Sequence, residues 1–189
     1  DAPRPEAPAA GPITLDRLAA AITAALPEGA IVIEESNTAG RDVHPMGAGA
    51  PPATWLALTG GAIGVGPPLA LGAALACPDR PVVAVQADGS AMYTIQALWT
   101  QAREGANVTT VILANRGYEI LKQELAKVGA NPGPSALAML EMTGPEVDFV
   151  SLARGMGVPG RRVECAADLY RTLRAAIDTP GPYLIEAAL

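Results

Sequence analysis

Two short polar stretches, each closing an apolar run, hold the residues with chemistry to offer. Val82–Val85 runs into Gln86-Ala87-Asp88-Gly89-Ser90, and Val108–Leu113 runs into Ala114-Asn115-Arg116-Gly117-Tyr118. The first stretch offers a carboxylate, Asp88; the second offers the Asn115 amide and a backbone loosened by Gly117. Carboxylate, amide and carbonyl oxygens are hard ligands that suit Mg²⁺ or Ca²⁺. Mg²⁺ takes few carboxylates and draws the rest of its shell from waters and phosphate oxygens. From the residues alone, the pattern is a metal–phosphate site between two loops. Singly, each residue has a plainer explanation: Asp88 as a helix-capping carboxylate, Asn115 as a turn residue. The pair, 27 positions apart in a strand–loop–helix frame, is what points to a site.

Those loops need a scaffold that brings strand ends together. Short apolar runs predict strands at Ala30–Ile33, near Val82 and Val108, at Arg161–Cys165 and at Pro182–Ala188, with a sixth possible at Trp55–Leu58. Helical periodicity is predicted between them. Leu15, Leu18, Ala19, Ile22 and Leu26 share one face behind an N-cap at Thr14. Further helices are expected at Leu69–Ala76, Thr94–Arg103 (Ile95, Leu98, Trp99 and Ala102 inward), Tyr118–Lys127, Phe149–Met156 and Ala166–Ile177. Residues 131–134, Asn-Pro-Gly-Pro, read as a loop. Alternation of this kind predicts an α/β fold: three layers, α/β/α, around a mostly parallel five- to six-stranded sheet. In such sheets the ligand crevice lies outside the carboxyl ends of the strands.

Two more stretches fall where that crevice would be. Glu34–Gly40 is a loop rich in hydroxyl and amide groups, with Asn37 and Thr38 as candidates; on residue type alone an ordinary polar turn is the better reading. Residues 58–68, LTGGAIGVGPP, form a glycine cluster that allows close backbone approach to a ligand. Within it Ile63 reads as a core aliphatic on residue type alone. The only histidine, His44, reads as a surface or structural residue.

Bulk properties exclude several classes. A chain of 189 residues, half of them hydrophobic, supports one domain with a proper core. A net charge of −6 without a basic patch argues against nucleic-acid binding. No apolar run reaches membrane-spanning length. Cys77 and Cys165 show no metal-like spacing and suggest buried thiols in a reducing, cytoplasmic setting. Residues 1–11, DAPRPEAPAAG, are expected to be a linker, leaving 12–189 as the domain. A first residue of Asp rather than Met suggests a fragment or a processed product.

Asp88-Gly89-Ser90 followed by Asn115 resembles the thiamin diphosphate (ThDP) motif, GDG followed within thirty residues by NN. The resemblance runs from about Ile31 to the C-terminus. It is to the C-terminal, diphosphate-binding domain of ThDP-dependent enzymes such as acetolactate synthase large subunits and benzoylformate decarboxylase. It implies Mg²⁺ bound by the side chains of Asp88 and Asn115 and the carbonyl of Gly117. Asn37, Thr38, Gly89 and Ser90 would meet the diphosphate. The Gly61 carbonyl would accept from the aminopyrimidine amino group, and Ile63 would prop the cofactor in its bent shape. Tyr118, Glu119, Ile120 and Leu121 would cover its far side. Two positions depart from the motif: its first Gly is Ala87 and its first Asn is Ala114.

The resemblance implies decarboxylation of a 2-oxo acid, carboligation to a second carbonyl, or both, on the acetolactate synthase pattern. The activating glutamate would come from the N-terminal, pyrimidine-binding domain of a neighbouring subunit, in a homodimer or homotetramer. No residue of this chain takes that role, so the isolated domain is expected to catalyse poorly. Two rivals are a benzoylformate decarboxylase-like enzyme, whose active-site histidines find only His44 here, and a non-catalytic subunit that keeps the fold. A dinucleotide-binding domain would need G-x-G-x-x-G directly after the first strand, and Ile31–Gly40 lacks it.

Overall fold

The structure, a computed structural model, describes residues 2–189. Helix α1 (Leu15–Ala25) leads into β1 (Ile31–Glu35), a short α2 (Val43–Met46) and β2 (Thr54–Ala57). Then come α3 (Gly66–Ala76), β3 (Val82–Ala87), a one-turn α4 (Asp88–Ala91), α5 (Ala97–Glu104) and β4 (Val108–Ala114). The chain continues through α6 (Glu119–Lys127), α7 (Pro134–Ala138), α8 (Phe149–Gly155), β5 (Gly160–Val163), α9 (Ala166–Ile177) and β6 (Tyr183–Ala188). The six strands form one sheet in the order β2-β1-β3-β4-β6-β5, and every pairing is parallel.

A parallel sheet must be covered on both faces, and its central strands are apolar along their length for that reason. All of β4 and most of β3 are buried. Val83, Val85, Val111, Leu113 and Ile185 pack on one face with Leu18 and Ile22 of α1 and Leu169 and Leu173 of α9. On the other face, Ala70 and Ala74 of α3 meet Ile31, Ile33, Val82 and Ala84. Leu98 of α5 joins Ile112, Leu184 and Phe149 on that side. Each such Leu or Ile, fully buried, contributes about 1.5–3 kcal/mol. Thr14 caps α1 as expected, its hydroxyl accepting from the Arg17 N–H. Among the described residues no helix is long and apolar enough to cross a membrane.

Several local expectations change. Strand β1 runs two residues further, because parallel pairing with β3 continues to Glu35 opposite Gln86. Glu35 is therefore a buried strand residue rather than part of the loop. The helix expected over Thr94–Arg103 begins at Ala97. Tight turns occupy Met92–Gln96, with Thr94 Oγ1 donating to the Gly64 carbonyl at 2.6 Å. That link holds Thr94 outside the helix. Trp99 faces outward at 54% exposure, beneath the Arg103 guanidinium, and Leu15 is also exposed. Pro134, read as part of a loop, opens α7, where its fixed φ suits a first helical turn. Both cysteines are free and half-buried rather than buried.

Candidate cofactor site

Strand order places the crevice. From β1 the chain crosses to β2 on one side; from β3 it crosses to β4 on the other. The loops leaving β1 and β3 therefore diverge, opening the sheet's carboxyl edge at a topological switch point. A cavity of about 590 Å³ lies there, within the range of small-ligand sites.

All thirteen residues singled out above line this one cavity. The β1 loop supplies Asn37 and Thr38; the glycine turn before α3 supplies Gly61 and Ile63; the exit of β3 supplies Asp88, Gly89 and Ser90. The exit of β4 supplies Asn115, Gly117, Tyr118, Glu119, Ile120 and Leu121. Ile63 is 42% exposed, so it is a wall residue and not a core aliphatic. His44 is not among the lining residues; it is exposed and stands edge-on to Trp55.

Asp88 is only 2% exposed. Its Oδ1 accepts from the Gly89 N–H and its Oδ2 from the Arg116 N–H, both at 2.7 Å. Burial pushes its pKa above the ordinary carboxylate value, against the lowering effect of the Arg116 and Gly89 N–H groups. Among the described residues no cationic side chain pairs with it; the Arg116 guanidinium turns away to Glu146 at 2.6 Å. Asp88 thus lacks a compensating charge, which a divalent cation would supply. Asn115 Oδ1 accepts from the Gly117 N–H at 3.1 Å. Between them Arg116 adopts a left-handed φ of 58°.

Asn37 also sits in the left-handed region, at φ 51°, and its Nδ2 donates to Ser90 Oγ at 2.7 Å. With one lone pair so engaged, the Ser90 hydroxyl proton is free to donate into the cavity. A Cβ on Gly89 would stand 2.8 Å from Tyr118 Cε1, so a side chain there would have to displace the Tyr118 ring.

The donor set fits a Mg²⁺–diphosphate. It offers one carboxylate, one amide oxygen and backbone carbonyls, and among the described residues no three His, Cys, Asp or Glu side chains gather as a cage. Such a metal takes its remaining oxygens from phosphate and water.

Five lining residues escaped the sequence reading: Leu58, Ala87, Tyr93, Met139 and Leu140. Ala87 was noted only as a departure from the motif, and Leu58 only as the start of the glycine cluster. Met139 and Leu140 carried no local signal. They arrive because the Tyr118 N–H donates to the Leu140 carbonyl and the Met142 N–H to the Arg116 carbonyl, each at 2.8 Å.

The profile of one family, described as the thiamine pyrophosphate enzyme C-terminal TPP binding domain, matches residues 41–187. The chain belongs to this family. Its fold is accordingly that of the ThDP-binding domains. It is 53% identical, across its whole length, to a Mycobacterium tuberculosis (strain H37Rv) protein named "Putative acetolactate synthase large subunit IlvX". It is 33% identical to the benzoylformate decarboxylase of Pseudomonas aeruginosa over 97% of its length. Among solved structures, the ThDP-dependent 4-hydroxybenzoylformate decarboxylase of Rhodococcus jostii RHA1 matches 96% of the chain with a TM-score of 0.81 at 32% identity. The chain spans 37%, 34% and 33% of the length of these three proteins, respectively.

Proposed function

We propose that this domain holds the diphosphate end of ThDP, through Mg²⁺, in a longer enzyme that acts on 2-oxo acids in the acetolactate synthase manner. The convergence of Asp88, Asn115 and Gly117 with Asn37, Thr38, Gly89 and Ser90 on one switch-point cavity carries this reading. Asp88, Asn115 and the Gly117 carbonyl are the metal ligands. Ser90, aligned by Asn37, donates to a phosphate oxygen; the Gly89 N–H, which donates to Asp88 Oδ1 without ligand, turns to the diphosphate only if it leaves that carboxylate. Gly61 and Ile63 wall the middle of the cofactor, and Tyr118, Glu119, Ile120 and Leu121 close its far side.

ThDP, when bound, supplies the electron sink that lets a 2-oxo acid lose CO₂. This chain's residues bind, orient and enclose; among the described residues none is assigned the activating glutamate's role. That task falls to a glutamate of the N-terminal domain of a neighbouring subunit, so the working protein is a homodimer or homotetramer. Two free cysteines accord with a cytoplasmic protein.

The test is calorimetric titration of the intact protein with ThDP, with and without Mg²⁺. Binding that requires Mg²⁺, disappears with a chelator and is lost in Asp88→Ala is expected; Mg²⁺-independent binding, or none, refutes the reading. A second reading, an aryl 2-oxo acid decarboxylase, draws on the likeness to the Rhodococcus and Pseudomonas enzymes. Its test is product analysis: benzaldehyde from benzoylformate for that reading, a 2-hydroxy ketone from pyruvate for the carboligase.

A further inference from the structure

The glycine turn that carries Gly61 and Ile63 into the cavity is gripped by a buried acid with no place in the metal site. Glu35, 1% exposed at the end of β1, accepts from the Gly64 N–H with one carboxyl oxygen and from the Gly66 N–H with the other. From the opposite side, Thr94 Oγ1 donates to the Gly64 carbonyl at 2.6 Å. The turn has no slack. Gly64 has a left-handed φ of 89°, and a Cβ there would stand 2.7 Å from Tyr93 Cβ. A Cβ on Gly66 would collide with the Gln86 amide oxygen and crowd Glu35.

Gln86 is the register neighbour of Glu35 on β3, and it is fully buried with neither amide atom hydrogen-bonded. Three separate pieces of chain therefore meet at Glu35 and its partners: the end of β1, the glycine turn, and β3 with its exit loop. The same exit loop carries Asp88 and Ser90.

We infer that Glu35 is a positioning residue that fixes the glycine turn at the right distance from the Asp88–Asn115 loops. The inference rests on the reading that the cavity takes ThDP. The polar, metal-ligating groups lie on the β1, β3 and β4 loops, whereas the turn presents an aliphatic side chain and bare backbone. The turn therefore meets the organic part of the ligand and the loops meet its diphosphate. Loosening the turn lowers the population of the competent cavity, and apparent affinity falls in proportion.

The experiment uses the intact protein and three variants: Glu35→Gln, Thr94→Val and Asp88→Ala. Each is titrated with ThDP plus Mg²⁺ and, separately, with Mg²⁺–pyrophosphate. Peptide-resolved hydrogen exchange over residues 59–66 is followed without ligand. Glu35→Gln keeps the side-chain shape but leaves at most one oxygen for two N–H donors, and Thr94→Val removes one hydrogen bond at a half-buried position.

Both are expected to weaken ThDP binding by about tenfold, to leave pyrophosphate affinity within about twofold, and to speed exchange of the turn. Asp88→Ala is expected to abolish binding of both ligands. Unchanged ThDP affinity in Glu35→Gln, or an equal loss for ThDP and pyrophosphate, overturns the inference. If wild-type protein binds neither ligand, the ThDP reading fails and this role for Glu35 fails with it. The exchange data then still decide whether Glu35 holds the turn.

Discussion

Two glycines of α3, six positions apart, should respond to alanine with opposite signs. At Gly72 a new Cβ meets nothing within 4 Å. Gly72→Ala in an exposed helix interior should stabilise by about 0.5–1 kcal/mol, because glycine loses more backbone entropy on folding. At Gly66 the new Cβ is driven into the Gln86 amide oxygen and lies 2.8 Å from Glu35 Oε2. Both side chains are buried and cannot swing into water. Overpacking costs about 1–3 kcal/mol. Displacing Glu35 from one of its two N–H donors adds about 1–3 kcal/mol, and the gain in helix propensity offsets less than about 1 kcal/mol at a first-turn position. The net is a loss of about 2–5 kcal/mol. For a chain of this size each kcal/mol moves the melting temperature by roughly 2–4 °C. Differential scanning calorimetry should therefore show Gly66→Ala melting roughly 5–15 °C below wild type and Gly72→Ala a few degrees above it. Equal melting temperatures for the two variants, or a reversed order, would refute the packing assigned to the Glu35–Gln86 pair.

Ile63→Ala should cost less than about 1 kcal/mol of stability, against about 2–5 for a buried isoleucine, yet weaken ThDP binding; a core-sized drop in melting temperature would contradict its placement in the cavity wall. Gly89→Ala should displace the Tyr118 ring and weaken Mg²⁺-dependent ThDP binding at least several-fold, while melting within a few degrees of wild type; unchanged affinity would count against Tyr118 lying over Gly89. Glu186, within β6, has its pKa raised by burial, with Arg162 working in the opposite direction. A raised folded pKa means the favourable contribution is complete below the unfolded value near 4.5 and is lost as pH rises through the folded value. Glu186→Gln should therefore gain stability relative to wild type as pH climbs from that point; a pH-independent difference between the two melting curves would show that Glu186 does not titrate there.

How much of this could be read in advance divides along a physical line. Strands β3 and β4 announced themselves as continuous apolar runs, because parallel strands covered on both faces need no alternation. The Asp88–Asn115 pair could be found because each residue closes such a run, and loops at the carboxyl ends of neighbouring parallel strands share one crevice. Helix α9 was legible to the residue, since its Leu169, Leu173 and Ile177 stripe has only one face to bury.

The tertiary structure decided the rest. Whether β1 stops at Ile33 or continues to Glu35 depends on how far β3 runs beside it, and so does the burial of a glutamate that looks like a loop residue. Thr94 reads as a helix start until the Gly64 carbonyl is brought against it from thirty positions away. Residue type alone makes Ile63 a core aliphatic, since a side chain cannot indicate which surface it will face; only the resemblance set it beside a cofactor, and the structure puts it in the cavity wall. Met139 and Leu140 reach the cavity only through backbone pairing with the loop after β4. The sequence by itself determined the layers, the central strands and the strand ends that carry Asp88 and Asn115, because apolar runs and helical periodicity are local patterns. The strand order that opens the crevice, and the buried Glu35 that braces one of its walls, arose only when distant segments were packed together.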